Sequence, residues 1–198
     1  MIMRFAVLPL LTATLFSGPA QAAPPHPARV RLQTSAGPIV IELATKQAPI
    51  TSANFLAYVD QKRFDGTSFY RAARSAGGKG KTGLIQGGIH HKYTLMLIPI
   101  AHEPTNVTGL SHVSGTISMA RNAPGTAMGD FFITIGDLRH MDAQPGSPGY
   151  AAFGRVVSGM SIVRHILAAP TSARAASAEM RGQMIAKPIA IITARRIR

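Results

Sequence analysis

Hydrophobic and polar residues alternate in short runs along most of the chain, and glycine, proline or asparagine separates one run from the next. Alternation with a period of two is typical of a β-strand that buries one face. The pattern predicts eight strands, at residues 29–34, 39–43, 67–72, 84–88, 115–121, 131–136, 151–157 and 188–194. A short Ser-Ala-Gly-Pro connection between the first two strands predicts a hairpin.

Apolar residues recur at helical intervals in only two segments, 49–61 and 159–169. The first begins at Pro49, and proline is well tolerated in the first turn of a helix. The second is followed at once by Pro170, which cannot continue a helix. A parallel α/β sheet would need a helix at nearly every crossover. Eight strands and two helices therefore predict a mainly β fold, either a closed antiparallel barrel or a sandwich.

The first 22 residues have a different pattern from the rest of the chain. Arg4 precedes an apolar run at 5–16, and the small-residue sequence Ala-Gln-Ala stands at 20–22. This layout predicts a cleavable secretory signal peptide, residues 1–22. The apolar run is shorter than the roughly 20 residues of a relaxed transmembrane helix, so we expect no stable membrane insertion after cleavage. A retained N-terminal anchor is the alternative.

Composition restricts the class of the mature protein. Residues 23–28 are a proline-rich leader, and 29–198 are long enough for one globular domain with a sizeable core. Because 46% of the 198 residues are hydrophobic and none is cysteine, a disordered chain, a disulfide-stapled mini-protein and a cysteine zinc module are excluded. An exported fold without disulfides suits a bacterial periplasm, which is the predicted location.

The chain is strongly basic, with 21 Lys+Arg against 8 Asp+Glu and a formal net charge of +13. Such an excess raises binding to nucleic acid or anionic lipid as a hypothesis. The surplus concentrates in a glycine-rich loop, 71–83, and in the C-terminal stretch, which indicates surface charge and no specific nucleic-acid partner. The loop lacks the spacing of a Walker phosphate loop, and we expect it to be mobile.

Common catalytic arrangements are missing from the sequence. There is no thiol nucleophile, and the histidines at 90, 91, 102 and 112 lack the spacing of a metal site. We interpret all four as exposed loop residues, and we expect no metal and no cofactor. The predicted strands do contain two polar residues, Arg71 and Gln86, in otherwise hydrophobic segments.

The mature chain contains a series of distinctive motifs, namely FYR at 69–71, LIQGG at 84–88, GTISMAR at 115–121, DFFI at 130–133 and FGRV at 153–156. Taken together and in this order, they resemble the cyclophilin family of peptidyl-prolyl cis-trans isomerases. The likeness covers nearly the whole chain after the leader, and the leader itself resembles that of the bacterial periplasmic branch. The resemblance implies a closed eight-stranded antiparallel β-barrel capped by two α-helices.

The resemblance also implies a role for each matching residue. Arg71 would act on the prolyl amide, and Gln86 would hydrogen-bond the substrate backbone. Four residues would line the proline pocket, namely Phe132, Met119, Leu84 and Met141. Tyr150 would lie at the rim of this pocket. Ala120 and Arg121 would lie beside the bound peptide. The implied partners are proline-containing polypeptides and unfolded exported proteins, bound by a monomer.

Three positions depart from the family pattern. Asp130 stands where glutamine is usual, and its carboxylate is a candidate partner for Arg71. His140 replaces an aromatic residue, and Gly83 replaces a pocket phenylalanine. These departures leave a second hypothesis open, a low-activity module that binds proline-containing peptides or acts as a chaperone, beside an isomerase that assists the folding of exported proteins.

Overall fold

The computed structural model describes residues 27–76, 80–173 and 178–197. The predicted signal peptide, most of the predicted leader and part of the glycine-rich loop lie outside these ranges. The described strands are β1 Arg29–Thr34, β2 Gly37–Leu43, β3 Thr67–Arg74, β4 Gly83–Gly88, β5 Thr116–Met119, β6 Asp130–Ile135, β7 Ala152–Ser158, β8 Thr171–Ser172 and β9 Met184–Ile197. The described α-helices are α1 Pro49–Asp60, α2 Thr105–Thr108 and α3 Met160–Leu167.

The strands close into a barrel. Their order is β1-β2-β7-β5-β6-β4-β3-β9, and β9 pairs back to β1, with every pairing antiparallel. The two-residue β8 pairs with β9 outside this ring. The predicted eight-stranded antiparallel barrel is therefore confirmed. The four-residue α2 was not predicted, because so short a helix carries too few residues to show a periodic pattern.

The barrel interior is packed with the inward-facing residues of the alternating strands. Val30 and Leu32 of β1 and Ile39 and Ile41 of β2 are fully buried. Four phenylalanines meet at the centre with ring centroids 5.1–5.4 Å apart, namely Phe55, Phe64, Phe131 and Phe153. Burying a phenylalanine side chain contributes about 1.5–3 kcal/mol, so this cluster is a main source of stability.

Both predicted helices bury one face against the barrel. Helix α1 contacts β7 and β9, and α3 contacts β2, β3, β4 and β6. The N-terminus of α1 has no capping side chain of its own, and Glu103, distant in sequence, accepts hydrogen bonds from the backbone N–H groups of Ile50 and Thr51 at 3.1 and 2.7 Å. Among the described residues, no helix is long and apolar enough to cross a membrane.

A β-bulge at Tyr70 sets the direction of the residue that follows it. Against β4, Phe69 pairs with Gly87 and Arg71 pairs with the adjacent Gln86, so Tyr70 is an extra residue on β3. Phe69 and Ala72 belong to the core, whereas strict alternation would put Arg71 on the same face as Phe69. The bulge therefore turns Arg71 outwards, beside its register partner Gln86.

Candidate functional site

A cleft of about 220 Å³ opens on the outer face of the barrel beside β4 and β6. The same alternation that buries Ile85 and Ile133 in the core turns Leu84, Gln86 and Phe132 towards this cleft. Nine of the predicted site residues border it, namely Arg71, Leu84, Gln86, Ala120, Arg121, Asp130, Phe132, Met141 and Tyr150. Residues from well-separated stretches of the chain are thus brought to one place, and their individual roles stay predictions.

The guanidinium of Arg71 is held by two glutamines. Its Nη1 donates to Oε1 of Gln86 at 2.9 Å, and its Nε and Nη2 donate to Oε1 of Gln183 at 2.9 and 2.7 Å. Burial lowers the pKa of Arg71, yet an arginine side chain stays protonated at neutral pH. The cleft therefore contains a fixed cation, and its two hydrogen-bond partners, Gln86 and Gln183, are both neutral.

A chain of hydrogen bonds continues behind Gln86. Its Nε2 donates to the hydroxyl of Tyr70 at 2.8 Å, and that hydroxyl donates to Oδ1 of Asp130 at 3.2 Å. Oδ1 also accepts from the backbone N–H of His90 at 2.8 Å. Burial, reinforced by the charge of Asp130, raises the pKa of Tyr70, so the phenol stays protonated and its proton points to the carboxylate.

This series of hydrogen bonds determines what Asp130 contacts. The carboxylate was a candidate ion-pair partner for Arg71, and the described residues form no such pair. Tyr70 and Gln86 lie between Asp130 and Arg71 in the hydrogen-bond pattern, and the Tyr70 ring stacks on the His90 ring with centroids 4.0 Å apart. Asp130 therefore leaves the Arg71 guanidinium without a carboxylate partner and is linked to it by the hydrogen bonds of Tyr70 and Gln86.

The other side of the cleft is apolar and well packed. Phe132 is 3% exposed and meets Tyr150 edge to face, with ring centroids 5.4 Å apart. Leu84 and Met141 complete the apolar surface. At the rim, the guanidinium carbon of Arg121 lies 4.9 Å from the centre of the Tyr150 ring, and Nη2 donates to the carbonyl oxygen of Gly149. Such a surface fits a small apolar ring flanked by peptide backbone.

Two predicted site residues lie elsewhere. Met119 was predicted to line the pocket, but it is 1% exposed and packs in the core with Ile117, two positions earlier on β5. Alternation along that strand puts Met119 inside the barrel and Ser118 on the cleft side. His140 is exposed in the 3₁₀ turn Arg139–Met141 and does not border the cleft, whereas its neighbour Met141 does.

The prediction for one histidine was wrong. His112 was predicted to be an exposed loop residue, and it is fully buried. Its Nδ1 lies 2.5 Å from Oδ1 of Asp142 and its Nε2 lies 3.0 Å from the hydroxyl of Ser118, while its ring stacks on Phe132. Burial lowers the pKa of His112 although the Asp142 hydrogen bond opposes this effect, so a neutral ring donates to Asp142 and accepts from Ser118.

The Ser118, His112 and Asp142 contacts have the connectivity of a hydrolase triad, but they cannot act as one. Ser118 and His112 are both fully buried, so no substrate carbonyl can reach the serine hydroxyl. The cluster instead joins β5 and the turn that carries Met141 behind the Phe132 ring. It therefore supports the apolar side of the cleft from behind.

Sequence reasoning missed several residues of the cleft. These are His91, Asn122, Thr126, Met128 and Met180, which border it, and Gln183, which binds Arg71. The stretch at 122–128 connects two strands that carry predicted site residues, and this position was a usable signal. Met180 and Gln183 lie more than a hundred residues from Arg71 in the chain, and no local pattern indicates their approach.

A larger cavity, of about 670 Å³, lies between the turn after β2 and the segment at 109–116. It contains none of the predicted site residues, and its one carboxylate, Glu42, is already bound by Arg29 and Arg155 at 2.8 and 2.9 Å. Within the described ranges no group of three His, Cys, Asp or Glu side chains converges on a point that could hold a metal ion. The cleft at Arg71 is therefore the place where the polar groups are arranged around an accessible apolar surface.

Comparison with known proteins agrees with this geometry. Residues 29–194 match the family model described as cyclophilin type peptidyl-prolyl cis-trans isomerase/CLD. The chain belongs to the cyclophilin family. The match spans the whole barrel from β1 into β9, so the family prediction is confirmed, and with it the prediction of a peptidyl-prolyl cis-trans isomerase at the level of the family.

Bacterial peptidyl-prolyl cis-trans isomerases are among the similar proteins. A peptidyl-prolyl cis-trans isomerase of Acinetobacter baylyi is 37% identical over 147 residues, covering 72% of this chain and 73% of the relative. Another, of Streptomyces antibioticus, is 42% identical over 143 residues, 68% of this chain and 80% of the relative. Peptidyl-prolyl cis-trans isomerase A of Dickeya dadantii is 36% identical over 165 residues, 81% of each chain.

Solved cyclophilins share the fold. The crystal structure of a Cryptosporidium parvum cyclophilin-type peptidyl-prolyl cis-trans isomerase matches with a TM-score of 0.67 at 22% identity, covering 87% of this chain and 99% of that one. A second structure of the same protein, in the presence of the dipeptide Ala-Pro, has a TM-score of 0.66. At this identity the likeness supports the cyclophilin barrel.

Proposed function

We propose that this cyclophilin accelerates cis-trans isomerisation of X-Pro bonds during the folding of exported proteins, in the periplasm of a bacterium. The observation that carries the proposal is that the Arg71 guanidinium, held by two neutral glutamines, borders the same cleft as the apolar surface around Phe132. The family, and a similar structure obtained with Ala-Pro present, support a proline-containing peptide as the ligand.

The chemistry needs no bond to break. Rotation about a peptide bond costs about 18–20 kcal/mol because the nitrogen lone pair is delocalised into the carbonyl group. In the twisted state the prolyl nitrogen becomes pyramidal and recovers its lone pair, so it can accept a hydrogen bond. A site that binds this twisted amide better than either planar isomer lowers the barrier.

The residues of the cleft supply the two parts of such a site. The apolar surface of Phe132, Leu84 and Met141 holds the pyrrolidine ring while the rest of the peptide turns. Arg71 donates to the prolyl nitrogen only when its lone pair is exposed, so the hydrogen bond forms in the twisted state and not in the planar ones. Each 1.36 kcal/mol of this preference accelerates the reaction about tenfold.

The decisive experiment is a protease-free assay of an Ala-Pro-containing peptide, in which NMR exchange spectroscopy measures the interconversion of the two isomers. Arg71→Ala should lower kcat/KM tenfold or more while circular dichroism shows an unchanged fold. Arg31→Ala, which removes an exposed arginine of β1, is the matched control and should leave the rate unchanged. An Arg71→Ala protein as fast as wild type would overturn the mechanism.

Export rests on the first 22 residues and is tested separately. Expression of the full chain in a Gram-negative host should give a periplasmic protein whose N-terminus begins after Ala22. A protein that keeps residues 1–22 and stays with the membrane fraction would favour a retained anchor. A full-length protein in the cytoplasmic fraction would overturn the proposed location.

A second candidate is a low-activity module that binds proline-containing segments or acts as a chaperone. Two observations favour it. Gly83 cannot carry a pocket side chain, because its φ is +142° and an added Cβ would lie 2.1 Å from the Ala73 carbonyl oxygen. His140, another departure from the family pattern, does not border the cleft. Negligible catalysis by wild type with measurable peptide binding would establish this alternative.

A further inference from the structure

We infer that Gln183 is a positioning residue for the isomerisation, since it sets the orientation in which Arg71 meets the prolyl nitrogen. The inference rests on the proposed function of the cleft and adds a residue to it. Its starting point is the pair of hydrogen bonds, 2.9 and 2.7 Å, that Nε and Nη2 of Arg71 donate to Oε1 of Gln183.

The backbone around Gln183 is fixed to the strand that carries Arg71. The N–H of Ala72 donates to the carbonyl oxygen of Gln183 at 2.8 Å, and Arg71 is the register partner of Met184, the next residue in the chain. The N–H of Gln183 in turn donates to the carbonyl oxygen of Met180 at 3.0 Å. The Oε1 atom therefore projects from a backbone that is hydrogen-bonded to β3.

Strand order puts one glutamine on each side of the arginine. In the barrel β3 lies between β4 and β9, with Gln86 on β4 and Gln183 directly before β9. A guanidinium has five N–H donors, and three of them are directed at the two glutamine oxygens. Two donors, one on Nη1 and one on Nη2, are left for a substrate.

Both acceptors are neutral, and this matters for the reaction. Arginine has four rotatable side-chain bonds and loses about 2 kcal/mol of rotamer entropy when it is fixed. A carboxylate at position 183 would hold the guanidinium as well, but it would also compensate the charge that must act on the prolyl nitrogen. An amide oxygen fixes the orientation of Arg71 and leaves its charge to the substrate.

Two variants separate these effects. Gln183→Met keeps the length of the side chain and removes the acceptor, so kcat should fall about three- to tenfold with little change in KM, because the ground-state contacts of the apolar surface remain. Gln183→Glu keeps an acceptor oxygen and should recover part of the lost kcat. Gln61→Met is the matched control, since Gln61 accepts from Arg63 in an exposed Gln–Arg pair outside the cleft.

A double-mutant cycle distinguishes positioning from a general structural role. In an Arg71→Ala background, Gln183→Met should have no further effect on kcat/KM, because the group that it positions is absent. The Nε–H proton of Arg71, identified by its loss in Arg71→Ala, should exchange slowly with water in wild type and Gln183→Glu. It should exchange faster in Gln183→Met.

Each outcome bears on one of the two claims. A kcat for Gln183→Met equal to that of wild type, or an equal loss in the wild-type and Arg71→Ala backgrounds, would overturn the role of Gln183. Failure of Arg71→Ala to slow the reaction would instead overturn the proposed function itself. If Gln183→Met does not fold, Gln183→Glu is compared with wild type instead. Slow exchange of the Arg71 Nε–H with a lowered kcat in Gln183→Glu supports positioning by a neutral acceptor. Fast exchange of this proton refutes the positioning role of Gln183.

Discussion

Tyr70→Phe tests whether the hydrogen-bond chain behind Gln86 controls catalysis. The Tyr70 hydroxyl accepts from Gln86 Nε2 at 2.8 Å and donates to Asp130 at 3.2 Å, and the residue is 3% exposed. Because the Tyr70 hydroxyl donates its proton in the hydrogen bond to Asp130, it can only accept a hydrogen bond from Gln86. The Gln86 amide is therefore oriented with Oε1 towards Arg71.

The size of the effect depends on the groups left without a partner. Phenylalanine leaves a donor of the buried Gln86 amide unsatisfied, which costs about 1–3 kcal/mol. For a domain of this size, a loss of about 2 kcal/mol corresponds to a fall in Tm of about 4–8 °C. Asp130 keeps its bond from the His90 backbone. Once the Gln86 amide can rotate, Arg71 loses a fixed partner, and we expect kcat/KM to fall about three- to tenfold, or roughly 1 kcal/mol.

Tyr58→Phe is the matched control. Tyr58 is fully buried, and its hydroxyl accepts a hydrogen bond from the backbone N–H of Leu97 outside the cleft. Thermal unfolding and the protease-free isomerisation assay are run on both variants. A similar loss of stability in both, with a loss of kcat/KM only in Tyr70→Phe, is the expected result. Equal kcat/KM for the two variants would refute the orienting role of the chain.

Two further predictions concern stability. His112 has a folded-state pKa lowered by burial from the ordinary 6.5, so the unfolded chain binds more protons just below that pH. The free energy of unfolding should therefore decrease as pH falls from about 7 to 5. His112→Asn should flatten this dependence, measured by denaturant titrations at several pH values. An unchanged slope would contradict the assignment of this pH dependence to His112. Glu103 accepts three hydrogen bonds from Ile50 and Thr51. Glu103→Ala should lower the free energy of unfolding by about 2 kcal/mol, whereas a loss below about 0.5 kcal/mol would show that α1 needs no such cap.

Part of the basic surface is neutralised within the protein. Several cations are paired with carboxylates, among them Arg195 with Asp65 and Arg196 with Asp60 at 2.7 and 2.5 Å. Arg74, at the end of β3, donates to backbone carbonyl oxygens at the end of α3. These contacts give some of the basic side chains a structural role.

The strands and both longer helices could be predicted because their patterns are local. Alternation in Arg29–Thr34 and the prolines that flank the helices depend only on neighbouring residues and on the need to bury one face. The motifs with Arg71, Gln86 and Phe132 are likewise continuous in sequence, and the structure brings all three to one cleft.

Tertiary structure decided which side each residue faces and what it touches. Met119 lies in the core because strand alternation, counted from Ile117, puts it there, and Arg71 points outwards only because a bulge at Tyr70 shifts the phase of β3. Burial of His112 and the approach of Gln183 come from barrel closure, which joins segments far apart in the chain. Sequence determined which strands form and which groups are available; the long-range pairing of strands determined the partners of those groups, because hydrogen bonds and burial depend on distance in space.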